Sequence, residues 1–127
     1  MKATELMIGD WVKSRGKIEQ VTSVYDGFIC TDSYEDSHDY YFHPIPLTAE
    51  ILEKNGFERR KLDGGAEEFV LADDYYDIIV YEWSDSIWVF RYECTEMNTP
   101  HEQRVFSYVH NLQHALRECG IDKEIVL

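Results

Sequence analysis

Apolar and polar positions alternate most sharply between Tyr76 and Glu93. Tyr76, Ile78 and Val80 fall on one side of the alternation, and Asp77, Ile79 and Tyr81 on the other. Ile87 and Val89 then alternate with Trp88, Phe90 and Tyr92. A period of two among β-branched and aromatic residues predicts strands, and the polar link from Ser84 to Ser86 predicts a hairpin. Upstream, Glu58 to Leu62 and Glu67 to Ala72 are joined at Asp63-Gly64-Gly65 and predict two more strands. Asp73-Asp74 then turns into the hairpin. The expectation is an antiparallel four-stranded meander centred on an aromatic wall around Trp83 and Trp88.

Residues Glu5 to His43 read as short strands. Leu6 to Val12 enters the first through Gly9-Asp10, and Arg15-Gly16 turns into Ile18 to Tyr25. Asp26-Gly27 is the strongest hairpin signal, because both residue types tolerate the positive φ of a type I′ turn. Phe28 to Thr31 returns, Asp32 to Asp39 is a polar loop, and Tyr40 to His43 is one more short strand. Short strands with regular turns predict a small β-sheet or barrel. The opening Leu6-Met7-Ile8-Gly9-Asp10-Trp11-Val12 resembles the first strand of SH3-like barrels. Pro44-Ile45-Pro46 is a rigid, extended connector. It is the expected boundary between a small all-β lobe, 1–46, and an α-β-β-β-β-α lobe, 47–127, the alternative being one continuous domain.

Two stretches carry helical spacing. Thr48 is placed as an N-cap with Glu50 in the first turn, followed by an apolar stripe of Leu47, Ile51 and Leu52. Asn55-Gly56 predicts a left-handed end, with Phe57 folding back. Val109, Leu112, Leu116 and Cys119 predict a second helix from Ser107 to a cap at Gly120. Met97 to Gln103 reads as a loop. Thr99-Pro100-His101-Glu102 also matches a capping box with proline at the first helical position, so Thr99 is the competing start. Each helix has one stripe to bury and the meander has an aromatic face to receive it. The predicted class is α+β, with both helices packed on one face of the meander.

Charge narrows the function classes. The 127 residues hold 25 Asp plus Glu against 12 Lys plus Arg, a net charge of −13. No Lys or Arg occurs from Ile18 to Glu53 or from Leu62 to Phe90. Direct nucleic-acid binding and docking to an anionic membrane both need such cations, so neither is expected. Cys30, Cys94 and Cys119 are odd in number and lack a C-x-x-C spacing, which predicts buried thiols in a reducing compartment. No apolar core of a signal peptide precedes Asp10, and no apolar run is long enough for a membrane helix. The chain reads as cytoplasmic.

Three stretches resemble a family of small uncharacterised proteins of Bacteroides-type genomes and their phages or mobile elements. They are Glu5-Leu6-Met7-Ile8-Gly9-Asp10-Trp11-Val12, then Pro44-Ile45-Pro46-Leu47-Thr48 with Asn55-Gly56-Phe57, and Tyr108-Val109-His110-Asn111-Leu112-Gln113. They come in that order and cover both ends and the middle of the chain. The last motif departs at His114, where relatives usually carry Asn. The resemblance implies a mobile-element origin and no particular activity.

Candidate chemistry is sparse. His110 and His114 stand one helical turn apart, a spacing that suits two metal ligands, yet both are expected to face away from the Val109, Leu112 and Leu116 stripe. No Glu follows His110 as in H-E-x-x-H. Asp32 to Asp39 offers oxygen ligands without the glycine and final glutamate of an EF-hand loop. Asp73, Asp74, Asp77 and Glu82 are candidate acid–base or two-metal carboxylates, and Cys94 with His101 is a candidate nucleophile pair. No phosphate-binding glycine loop or G-x-S-x-G elbow is present. The distinctive feature is the interleaving of acids and tyrosines, Asp32, Tyr34, Glu35, Asp36, Asp39 and Tyr40, with Tyr41 adjoining. Tyrosine suits interfaces because its ring packs while its hydroxyl stays wet. The favoured expectation is a non-enzymatic interaction or regulatory module that docks a basic protein and needs no cofactor. The alternative is a metal-assisted hydrolase or nuclease using His and Asp side chains.

Overall fold

The computed structural model describes residues 1–35, 37–72, 75–94 and 99–127, the side chains of residues 94 and 99–102 excepted. The chain has a mixed α+β fold: a curled four-stranded antiparallel sheet that forms half a barrel, a second sheet of five strands, and two α-helices among the described residues. Backbone contacts divide it into two units, Met1–Pro46 with Tyr108–His110 and Leu47–Ser107 with Asn111–Leu127. No helix among the described residues is long and apolar enough to cross a membrane.

In the first unit, β1 (Trp11–Ser14), β2 (Lys17–Tyr25), β3 (Phe28–Thr31) and β4 (Ser37–His38) pair in sequence order. A register shift between Val21 and Ser23 bends β2 and helps the sheet to curl. Val12, Val21, Ile29 and Phe42 point into a core with Ala3 and Leu6. The expected strand entry at Leu6 is instead a turn. Asp10 accepts the Met7 N–H through Oδ2 at 2.8 Å, Gly9 takes a φ of 94°, and the strand begins only at Trp11.

The two short hairpins reverse the expected turn chemistry. Arg15-Gly16 has both residues at positive φ, 52° and 80°, which is the type I′ pattern. At Asp26-Gly27 only the glycine is positive, at 83°. Tyr40 to His43 is not a strand. Asp39–Tyr41 forms a 3-10 turn, held by His38 Nδ1 accepting the Tyr40 N–H at 3.1 Å and Asp39 O accepting the Phe42 N–H at 3.1 Å. Such local bonds compete with sheet pairing. Only His43 makes a bridge, exchanging backbone hydrogen bonds with Lys13. The segment from Tyr108 joins this unit through a bridge to Pro46 and a Val109 N–H donated to Ile45 O at 2.8 Å.

The second unit holds a five-stranded meander rather than four: β5 (Glu58–Lys61), β6 (Glu67–Ala72), β7 (Tyr76–Ser84), β8 (Ile87–Cys94) and β9 (Thr99–Phe106). The fifth strand replaces both the expected loop and the competing helix start at Thr99. Arg104, Val105 and Phe106 pair with Phe90, Val89 and Trp88, and this ladder outweighs the local capping pattern. Pro100 is tolerated because β9 is an edge strand, where a missing N–H need not break a ladder on both sides. The other edge, β5, is Glu-Arg-Arg-Lys and wholly exposed, a charged rim that discourages edge pairing.

Register puts Phe69, Ile78, Val80, Trp88, Phe90, Arg104 and Phe106 on one face of this sheet. Phe90 and Phe106 rings lie 5.9 Å apart, as do Phe69 and Trp88. Trp83 is not part of this wall. The register shifts between Glu82 and Ser84, Trp83 is the extra residue of that bulge, and it is 70% exposed. The opposite face also contributes buried side chains, Val70, Ile79 and Val89.

Helix α1 (Ala49–Lys54) starts where Thr48 Oγ1 accepts the Ile51 N–H at 3.3 Å. It ends in a Schellman motif: Gly56 has φ 88° and donates to Glu53 O, while Phe57 donates to Leu52 O at 3.0 Å. Helix α2 (Val109–Glu118) starts later than Ser107 and repeats that ending. Gly120, at φ 74°, donates to Arg117 O, and Ile121 donates to Leu116 O at 2.9 Å. Leu112, Ala115 and Leu116 of α2 are buried.

Candidate interaction surface

The acidic, tyrosine-bearing loop leaves β3 at Thr31 and returns through β4 and the 3-10 turn. Its first part is anchored to β2. Glu19 accepts hydrogen bonds from the Ser33 hydroxyl and, at 2.6 Å, from the Thr31 hydroxyl. Those two donors, Ser33 first, hold the Glu19 carboxyl below the usual carboxylate range. Thr31 also donates its N–H to Tyr34 O at 2.8 Å, which closes the bend.

The predicted residues have different surroundings. Asp32 and Glu35 are exposed and make no hydrogen bond or ion pair among the described residues. Asp36 lies outside the described residues. Asp39 is half-buried and structural, since its Oδ2 accepts the Ala3 N–H at 2.9 Å. His38 Nδ1 is 3.2 Å from Asp39 Oδ1, but that nitrogen already accepts the Tyr40 N–H and has no proton to offer. The contact is therefore no ion pair while the ring is neutral. Tyr40 is 74% exposed and packs edge-on against Tyr41, with centroids 5.5 Å apart.

The centre of the surface is Arg15, which the sequence marks only as part of a turn. Its guanidinium lies 4.3 Å from the centroid of Tyr34 and 4.5 Å from that of Tyr41. Tyr34, Arg15, Tyr41 and Tyr40 thus form a continuous row of planar groups. The one signal for it in the sequence is an arginine where a tight hairpin turn usually carries Asn, Asp or Gly. A second aromatic row crosses three strands of the same sheet: Tyr25 and Phe28 centroids are 6.2 Å apart, and Phe28 and His38 6.0 Å.

The other candidates separate. His110 is buried rather than outward-facing, and its ring stacks on Tyr108 at 5.9 Å. His114 lines a shallow cleft with Arg104, Phe106, Asn111 and Glu118, in which Arg104 and Glu118 form an ion pair. Asp77 and Glu82 sit near opposite ends of β7 and on opposite faces, about 16 Å apart along the strand. Asp73, Asp74 and the side chains of Cys94 and His101 lie outside the described residues. Cys30 and Cys119 form no disulfide among the described residues and are only half-buried, against the expectation of buried thiols. Among the described residues, no three of His, Cys, Asp and Glu converge as metal ligands would. Comparison of the chain with protein-family models, curated proteins and solved structures gave no match.

Proposed function

We propose that this chain is a non-enzymatic interaction or regulatory module whose acidic, tyrosine-bearing loop, Asp32 to Tyr41, docks a basic protein partner. The observation that carries this reading is the pairing of exposed, uncompensated Asp32 and Glu35 with Tyr40, which is 74% exposed. An exposed tyrosine supplies packing area at low entropic cost, and unpaired carboxylates steer a cationic partner toward it. The net charge of −13 extends that attraction over the whole chain. In this reading the curled sheet is SH3-like, residues 1–46 act as a lobe distinct from 47–127, and the module works in the cytoplasm as a product of a phage or mobile element.

The test is affinity capture from the native cell at low ionic strength, followed by elution with rising salt. A partner held by this surface elutes at moderate salt, and at lower salt from the double variant Asp32→Asn, Glu35→Gln. Recovery of no partner at low ionic strength, or elution indifferent to the double variant, overturns the reading.

A further inference from the structure

We propose that the Tyr34–Tyr41 pair is a receptor for an arginine of the docking partner, and that Arg15 fills it from within the chain until that arginine arrives. The inference rests on the docking surface proposed above and names the side chain that surface takes.

The geometry is that of a cation clamp. Both rings lie within 4.5 Å of one guanidinium, well inside the range for cation–π attraction. A flat, weakly hydrated guanidinium stacks on aromatic faces, whereas an ammonium is compact and strongly hydrated, so the clamp selects arginine over lysine.

Its present occupant is weakly secured. Arg15 is exposed. Its further contact is a hydrogen bond from Nη1 to Ser14 Oγ at 3.3 Å, and it meets no carboxylate among the described residues. An incoming arginine reaches the same two rings in the same field of Asp32 and Glu35. Tyr40, edge-on to Tyr41, extends the platform for the residue beside it. Charge complementarity commits the occupant: an arginine-bearing segment of a basic protein.

The test uses the full chain and two fluorescein-labelled peptides, one alternating arginine with glycine and the other lysine with glycine, read by anisotropy at fixed salt. Arg15→Gly empties the clamp and suits the positive φ. Lys17→Ala removes one positive charge from the same hairpin and leaves the clamp filled. An exposed cation–π contact is worth about a twofold to fivefold change in binding. Arg15→Gly is therefore expected to tighten the arginine peptide about fivefold, more than Lys17→Ala does and more than it tightens the lysine peptide. Adding Tyr34→Leu or Tyr41→Leu to Arg15→Gly should cancel the gain, with thermal melts verifying that each variant is folded. Equal gains from Arg15→Gly and Lys17→Ala, or a gain that survives loss of the tyrosines, overturns the clamp while salt-sensitive binding still supports the acidic surface. If no peptide binds any variant at low ionic strength, both fall.

Discussion

Trp88 donates its indole N–H to the carbonyl oxygen of Leu47 at 3.0 Å, and both residues are buried. The bond links β8 of the five-stranded sheet to the residue just before the N-cap of α1. Leu47 donates its own N–H to Ser107 O at 2.9 Å, so both polar groups of its backbone are satisfied inside the unit.

Trp88→Phe leaves the Leu47 carbonyl buried without its donor. An unsatisfied buried acceptor costs about 1–3 kcal/mol, and urea unfolding should register a loss of that size. Trp83→Ser is the control, since Trp83 stands on a bulge and is 70% exposed; its effect should stay within about 0.5 kcal/mol. Equal losses from the two tryptophans would contradict the assignment of only one to the core.

Asn55 ties the end of the chain to α1. Its Nδ2 donates to Ile51 O at 2.8 Å and Val126 O at 2.9 Å, and its Oδ1 accepts the Val126 N–H at 2.8 Å. The residue is buried, and Asn55→Ala removes all three bonds at once, although Ile51 O keeps the Asn55 backbone N–H as a donor and Val126 is 45% exposed. The expected loss is about 1–3 kcal/mol, the scale of two to three net hydrogen bonds to partly solvated groups. Hydrogen exchange at the Val126 amide should accelerate more than exchange in β7. Unchanged protection at Val126 would show that the tail is held by Ile125 packing alone.

Local signals were legible in the sequence where one residue decides the outcome. Thr48, Asn55-Gly56 and Gly120 each serve a short-range geometric need, and both helix ends formed where those residues stand. Competition from a neighbouring strand was not legible. Thr99-Pro100-His101-Glu102 carries a sound helix-start pattern, but Thr99, Pro100 and Glu102 pair with Cys94, Glu93 and Tyr92 of β8, which claims the backbone as β9. Trp83 and Trp88 look alike in the alternation, and only the bulge between Glu82 and Ser84 separates an exposed ring from a buried one. The acidic loop could be singled out from its composition. Arg15 could not, because its role comes from a hairpin that folds it against tyrosines far along the chain.

The two helix ends give a backbone prediction. Gly56 and Gly120 hold φ of 88° and 74°, and a Cβ at Gly120 meets nothing within 4 Å while one at Gly56 meets only Lys123 Nζ at 3.8 Å. Space is therefore not the constraint; the left-handed conformation is. Alanine at either position should cost about 1–2 kcal/mol, and asparagine less, because Asn visits that region more readily. Thermal melts of Gly120→Ala and Gly120→Asn test the order. A loss as large for Asn as for Ala would point to packing instead of φ.

Glu19 links acid stability to the acidic loop that follows β3. Its carboxyl is held below the usual range because the Ser33 hydroxyl, and after it the Thr31 hydroxyl, donate hydrogen bonds to it. A carboxyl with a lower pKa folded than unfolded binds fewer protons in the folded state, so stability rises with pH across that interval. The contribution is complete above the unfolded carboxylate value and disappears as pH falls through the lowered folded one. Glu19→Gln should therefore flatten the stability profile from the unfolded glutamate pKa of about 4.3 downward. Ser33→Ala should return the Glu19 pKa toward normal further than Thr31→Val does, as read by carboxyl carbon chemical shifts. Since these bonds anchor the start of the acidic loop to β2, Thr31 and Ser33 amides should lose hydrogen-exchange protection over the same pH interval in the wild-type chain. A Glu19 carbon that titrates at an ordinary glutamate pKa, with loop protection unchanged, would detach the loop from this residue.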